Sequence, residues 1–184
     1  DENSYKGIKA ATGRDLIPIN HFDKAKTILS IDSDFLLLEK DSTRQTRAFA
    51  SGRKITSPED EMNRLYVVES ALTVTGAAAD HRIAMHSSEM GAFAGALALK
   101  LAFLGVAVKG IADLDISISE KFNDKWLSAV ASDLIAHPGA SIVVAGQSQS
   151  IAVHALVASI NSALGNIGST VEYRFVDGDF IPDG

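Results

Sequence analysis

Cysteine is absent from all 184 residues. Disulfides, iron–sulfur ligation and thiolate zinc sites are therefore excluded within this chain, and the redox compartment stays open. Basic residues are also scarce: 17 Lys and Arg face 23 Asp and Glu, for a net charge of −6. No cationic stripe remains to neutralise the phosphates of a nucleic acid. No run is suited to a membrane span. The longest apolar stretch, residues 92–112, contains Lys100, Lys109 and interrupting glycines, and reads as a buried helix followed by a strand or loop, with no direct membrane insertion. The phosphate-binding signatures GxGxxG and GxxxxGKS/T are missing, and so are HExxH and GxSxG.

What is present is a composition of 46 % hydrophobic and 22 % charged residues, that of one globular domain with a proper core, residues 1–184. The acidic start Asp1-Glu2 and the loop-like Asp177-Gly178-Asp179-Phe180 read as the ends of a piece cut from a longer multidomain subunit, with no targeting signal of its own.

Strand and helix patterns alternate along the chain. Thr27–Ile31 (TILSI) and Leu65–Val68 are short buried runs, Arg82–Met85 is a weaker one, and Ser141–Ala145 and Thr170–Phe175 follow. Between them, residues 42–54 suit a basic helix opened by Asp41 or Ser42. Ser87 is placed as the cap of a helix to about Leu104, with Met90, Phe93, Leu97, Leu101 and Leu104 at helical steps. Further helices are predicted over 120–137, ended by Pro138-Gly139, and over 150–164. Residues 54–63 and 105–120 are the loosest connections. Apolar strands alternating with amphipathic helices predict a Rossmann-like α/β fold: a doubly wound, mostly parallel sheet of about five strands with helices on both faces. The runs at 27–32, 65–69, 141–145 and 170–175 are expected as its parallel neighbours.

In such sheets ligands bind at the carboxyl ends of the strands. Those ends carry Asp32, Ser33 and Asp34, then Glu69 and Ser70, then Ser87, Ser88 and Glu89, and finally Gly146 and Gln147. A rim of this kind either holds a nucleotide, with carboxylates on ribose hydroxyls and a base edge, or consists of helix caps and solvated turns, which Asp, Ser and Glu also favour. The spacing favours the second. Gly146-Gln147-Ser148-Gln149-Ser150 has the strand–glycine–helix placement of a phosphate loop but a single glycine. Gly165-Asn166-Ile167-Gly168 reads as a helix end. His81 beside Asp80 lacks a nucleophile at motif spacing, His154 lies in an apolar helix, and His21, His86 and His137 are scattered. No catalytic residue and no metal ligand is assigned. Arg44, Arg47, Arg53 and Lys54 form a basic face that reads as solvated before it reads as a phosphate or acidic-partner site.

Several phrases carry a resemblance that composition does not. Residues 22–36 (FDKAKTILSIDSDFL) and 47–53 (RAFASGR) resemble the first strand and following segment of a nucleotide-binding domain in the molybdopterin oxidoreductase family. Residues 63–70 (NRLYVVES), 75–82 (TGAAADHR), 144–149 (VAGQSQ), 154–156 (HAL) and 161–168 (NSALGNIG) are similar to a divergent branch, the large iron–sulfur, molybdopterin-oxidoreductase-like subunit of alternative complex III. The resemblance spans most of residues 13–175. It implies a domain of a membrane-attached quinol oxidoreductase on the periplasmic face of a bacterial inner membrane. The partners it implies are the other domains and subunits of that respiratory complex, with iron–sulfur clusters held elsewhere.

Family members that bind molybdopterin guanine dinucleotide resemble one another in a Pro-Gly-Thr-Asp motif, whose aspartate contacts guanine. Here His86-Ser87-Ser88-Glu89 stands in its place, and Asp32-Ser33-Asp34 replaces an expected Asn-Pro. The added negative charge opposes a pyrophosphate. The expectation is therefore a domain that keeps the architecture without the cofactor and supports electron transfer and assembly. The alternative is a true dinucleotide-binding domain of a catalytic oxidoreductase, with Glu69 on a ribose and Glu89 on guanine.

Overall fold

The computed structural model describes residues 2–112, 114–115 and 121–176. Along the chain run α1 (Glu2–Thr12), β1 (Leu16–Asn20), β2 (Thr27–Ile31), α2 (Ser42–Ser51), β3 (Arg64–Glu69), α3 (Val74–Ala77), β4 (His81–Ala84), α4 (Met90–Phe103), α5 (Asp124–Ala136), β5 (Ser141–Ala145), α6 (Ile151–Ala163) and β6 (Val171–Phe175).

Four strands form a parallel sheet in the order β4-β3-β2-β5. The chain builds outward from β2 through β3 to β4, then crosses back by α4 and α5 to place β5 on the other side of β2. This reversal is the doubly wound arrangement, and it leaves a switch point between the carboxyl ends of β2 and β5.

Alternate residues of the central strands serve two cores. Leu29, Ile31, Tyr66, Val68 and Val143 pack with Met90, Phe93 and Leu97 of α4, Leu127 and Val130 of α5, and Val153 and Ile160 of α6. Ile28, Leu65, Val67, Ile142 and Val144 pack on the opposite face with Phe22, Phe35 and Phe49 of α2. Both faces being covered explains why these strands read as unbroken apolar runs. Asp133 pins α5 to the sheet by accepting from the Tyr66 hydroxyl at 2.5 Å and Arg64 at 2.6 Å. Burial and this carboxylate push the Tyr66 phenol up to about 12.

The run at 170–175 does not join the parallel sheet. As β6 it pairs antiparallel with β1, in a separate two-stranded ribbon with Pro18 opposite Tyr173. Beyond Val171 its residues are exposed or half-exposed, so it lacks the two-sided burial of a central strand. Pro18 is tolerated because a ribbon edge does not need every N–H. Strand β1 and helix α1 carry no element in the sequence reading. Helix α1 lies on α6 through Ile8 and Ala158.

Helix ends also shift. Residues 87–89 form a 3-10 turn ahead of α4, and Ser87 does not cap it: the His86 N–H donates to Glu89 Oε2 at 3.2 Å. Asp41 holds the cap position of α2 with a left-handed φ of 62° and no side-chain cap bond. Helix α5 is capped by Asn123, which accepts from the Trp126 N–H at 3.1 Å, while residue 120, where the helix was expected to begin, lies outside the described residues. Ser150 caps α6 by accepting from Val153. The connections 54–63 and, as far as it is described, 105–115 carry no helix or strand. The rest of 105–120 and the loop expected at 177–180 lie outside the described residues.

Candidate functional site

At the carboxyl ends of the parallel strands the chain turns its acidic side chains inward. Asp32 adopts a left-handed backbone with φ 52°. Its Oδ1 accepts from the Ser70 N–H at 2.9 Å and hydroxyl at 3.0 Å, and its Oδ2 accepts from Gln149 Nε2 at 2.9 Å. One carboxylate thus ties the ends of β2, β3 and β5. Ser33 is buried; its carbonyl accepts from the Ser30 hydroxyl at 2.7 Å, and its own hydroxyl donates to Glu39 Oε1 at 3.4 Å. Asp34, also buried, accepts from the Thr75 N–H at 3.0 Å and hydroxyl at 2.7 Å.

Glu69 is 1 % exposed. It accepts from Arg82 Nε at 2.5 Å and from the Thr73 hydroxyl at 2.6 Å, and it stands against Gly76, where any Cβ would collide with its carboxylate. The threonine- and glycine-rich turn after β3 is therefore the receptor for Asp34 and Glu69. Thr73 and Thr75 supply the donors and Gly76 supplies the space.

Gly146 closes the switch point. Its N–H donates to the Ile31 carbonyl at 2.9 Å, and a Cβ there would run into the Asp32 carbonyl oxygen. The next residue, Gln147, donates its N–H to Glu39 Oε1 at 3.2 Å. Asp32, Ser33, Asp34, Ser70, Gly146 and Gln147 are thus brought together, with Glu69 joined through the 73–76 turn. Ser87, Ser88 and Glu89 stand apart on an exposed turn, where Glu89 bonds its own turn's backbone.

Beside the closed switch point lies a cleft of about 790 Å³ between α1, the β1–β6 ribbon, the end of β5 and the segment 33–45. Its apolar wall comes from Tyr5, Ile17, Ile19 and Val144, and its polar rim includes Glu39, Arg44 and Arg174. Arg44 donates to the Asn20 carbonyl at 3.3 Å, whereas the Arg174 guanidinium, on the strand residue opposite Ile17, has no hydrogen bond or ion pair with a described residue. Glu39, Arg174 and Tyr5 carry no site signal in the sequence, because none sits at the end of a parallel strand. Burial is the main force raising the Glu39 carboxyl above the usual range; the Gln147 amide and Ser33 hydroxyl oppose it, and Asp34 and Asp32 add to it.

The remaining candidates disperse. Arg53 makes a two-pronged bond to Asp80, at 3.1 and 2.5 Å, and lies over the Phe49 ring, so it leaves the supposed basic face. His81 stacks on Tyr66 with ring centres 4.6 Å apart. His154 is buried with Nε2 unpartnered, and burial lowers its pKa to about 4. Among the described residues no group of three or more His, Asp or Glu is placed to hold a metal ion, and no helix is long and apolar enough to cross a membrane.

Comparison with known proteins adds no identity: no family model matches the chain, and no curated protein does.

Proposed function

We propose that this chain is a cofactor-free, Rossmann-like structural domain of a molybdopterin-oxidoreductase-like subunit. The parent is a respiratory quinol oxidoreductase of the alternative complex III type, on the periplasmic face of a bacterial inner membrane. The domain's work is to hold neighbouring domains and subunits in place while clusters elsewhere in the parent carry the electrons.

The observation that supports this reading is the direction of the strand-end carboxylates. Asp32, Asp34 and Glu69 direct their carboxylates at Ser70, Gln149, Thr75, Thr73 and Arg82. A nucleotide-binding rim keeps such groups free to meet ribose and base. These residues do not fit the guanine dinucleotide: Glu69 is sealed from a ribose, Glu89 stands away from the strand-end network, and Gly146 is pressed against Asp32. A pyrophosphate laid across the switch point would also meet Asp32, Asp34 and Glu39 as like charges.

The test is thermal unfolding with millimolar GDP, followed by extraction of pterin from the full-length subunit. A ligand that binds only the folded state stabilises it by about 2.7 kcal/mol at 100 times its Kd. The expected outcome is an unchanged Tm and no pterin. A rise with GDP that disappears in Glu89→Ala, or stoichiometric pterin in the parent, would establish the dinucleotide-binding alternative instead.

A further inference from the structure

Among the described residues, Glu39 is the one acid of the switch point that is neither on a strand end nor paired with a cation. It is carried there by the turn after β2, in which the Asp34 carbonyl accepts from the N–H groups of Leu37, Leu38 and Glu39 at 3.1, 2.9 and 3.1 Å. That turn swings the side chain across to β5, where Oε1 accepts from the Gln147 N–H and the Ser33 hydroxyl. Gln147 belongs to the glycine-led segment between β5 and α6, and Ser33 follows β2. The two donors therefore flank the crevice where open α/β sheets receive anionic ligands. The neighbouring cleft reaches this point, because Ser33 and Glu39 both line it.

A carboxylate with Asp32 and Asp34 close by is an expensive choice for a half-buried position. A neutral side chain would hold the turn without that repulsion. What a carboxylate adds is a negative charge on an N–H and an O–H that converge on one point, the requirement a phosphate oxygen would otherwise meet.

We propose that Glu39 is the built-in occupant of the strand-end anion position, and so the residue that decides that this domain accepts no phosphate-bearing ligand there. The inference rests on the cofactor-free reading and names the group that enforces it. Removing the carboxylate frees the Gln147 N–H and the Ser33 hydroxyl together, in a cleft already large enough for a small anion, with Arg44 and Arg174 on its rim.

The experiment uses the whole chain, inorganic pyrophosphate as probe and sodium chloride at matched ionic strength as control. Wild type and Glu39→Ala are compared by thermal unfolding and by the amide spectrum of ¹⁵N-labelled protein. In wild type, pyrophosphate is expected to leave both Tm and the Gln147 signal unchanged. In Glu39→Ala the Gln147 signal should move, and millimolar pyrophosphate should raise Tm by about 3 °C or more and move that signal again. Glu39→Ser, whose hydroxyl is too short to reach the Gln147 N–H, serves if Glu39→Ala does not fold; it should show the same Gln147 response to pyrophosphate. An unfilled variant that ignores pyrophosphate overturns the proposal, as does a wild type that binds it at Gln147. Silence of both proteins sinks this inference alone, whereas GDP binding by wild type sinks the cofactor-free reading beneath it.

Discussion

Asp32 holds a left-handed backbone conformation although it is not glycine, at a cost of about 1–3 kcal/mol. Its three side-chain acceptor bonds, to Ser70 and Gln149, hold the residue in that conformation. Gly146 answers it from β5: its lack of a side chain lets the two strand-end loops touch backbone to backbone. Gly146→Ala should therefore destabilise the chain by about 3 kcal/mol, the upper end for forcing one extra carbon into a filled space, because the obstructing atom is a carbonyl that cannot rotate away. Urea unfolding checks this. A loss below about 0.5 kcal/mol would mean that the two loops separate easily, and that the switch point is less firmly closed than Gly146 makes it.

At the scale of elements, α1 and α6 pack at glycine distance: a Cβ on Gly7 would lie 2.5 Å from His154 Cβ and 2.7 Å from the Ile151 carbonyl oxygen. This close crossing buries His154, whose pKa falls to about 4 chiefly through that burial, with a bond to the Gly146 backbone opposing it. The unfolded chain protonates near the ordinary value of about 6.5, so between these values the unfolded state binds more protons than the folded one. The contribution of a neutral His154 is thus complete above about pH 6.5 and is lost as the pH falls toward 4, by at most ~3 kcal/mol. His154→Leu should lose less Tm than wild type between pH 7 and pH 4.5. Parallel declines in the two proteins would show that α1 yields and hydrates the ring before it must charge.

Over the whole molecule, stability is expected to be uneven. Strand β2 is buried along its length between β3 and β5 with a core on each face, whereas the β1–β6 ribbon is half-exposed and contributes few side chains to either main core. Native-state hydrogen exchange should find the amides of β2, β3 and β5 the slowest. Those of β1 and β6 should exchange at least about tenfold faster, through opening of the ribbon with the sheet intact. Equal protection in ribbon and sheet would contradict this and make the two sheets one cooperative unit.

The parallel sheet and its helices were legible because burial on both faces writes itself locally: runs such as TILSI, LYVV and SIVVA need no partner to be recognised. The same held for which residues stand at the strand ends, since Asp32, Glu69 and Gly146 simply follow those runs. Strand β6 was legible as a strand, but β1 and their antiparallel pairing were not, because Pro18 and a half-exposed alternation name no partner about 150 residues away. Nor was the state of the site. An aspartate at a strand end looks the same in sequence whether it points out to a ligand or in to a neighbouring turn. Asp34 is settled by Thr75, 41 residues on, and Asp32 by Gln149, 117 residues on. Glu39 carried no periodic or motif signal at all; its place at the switch point comes from a turn that reaches from β2 to β5. Local pattern alone was enough to place the groups that can meet at the crevice. That they meet one another is settled by folding, because hydrogen-bond direction depends on partners that lie far apart along the chain.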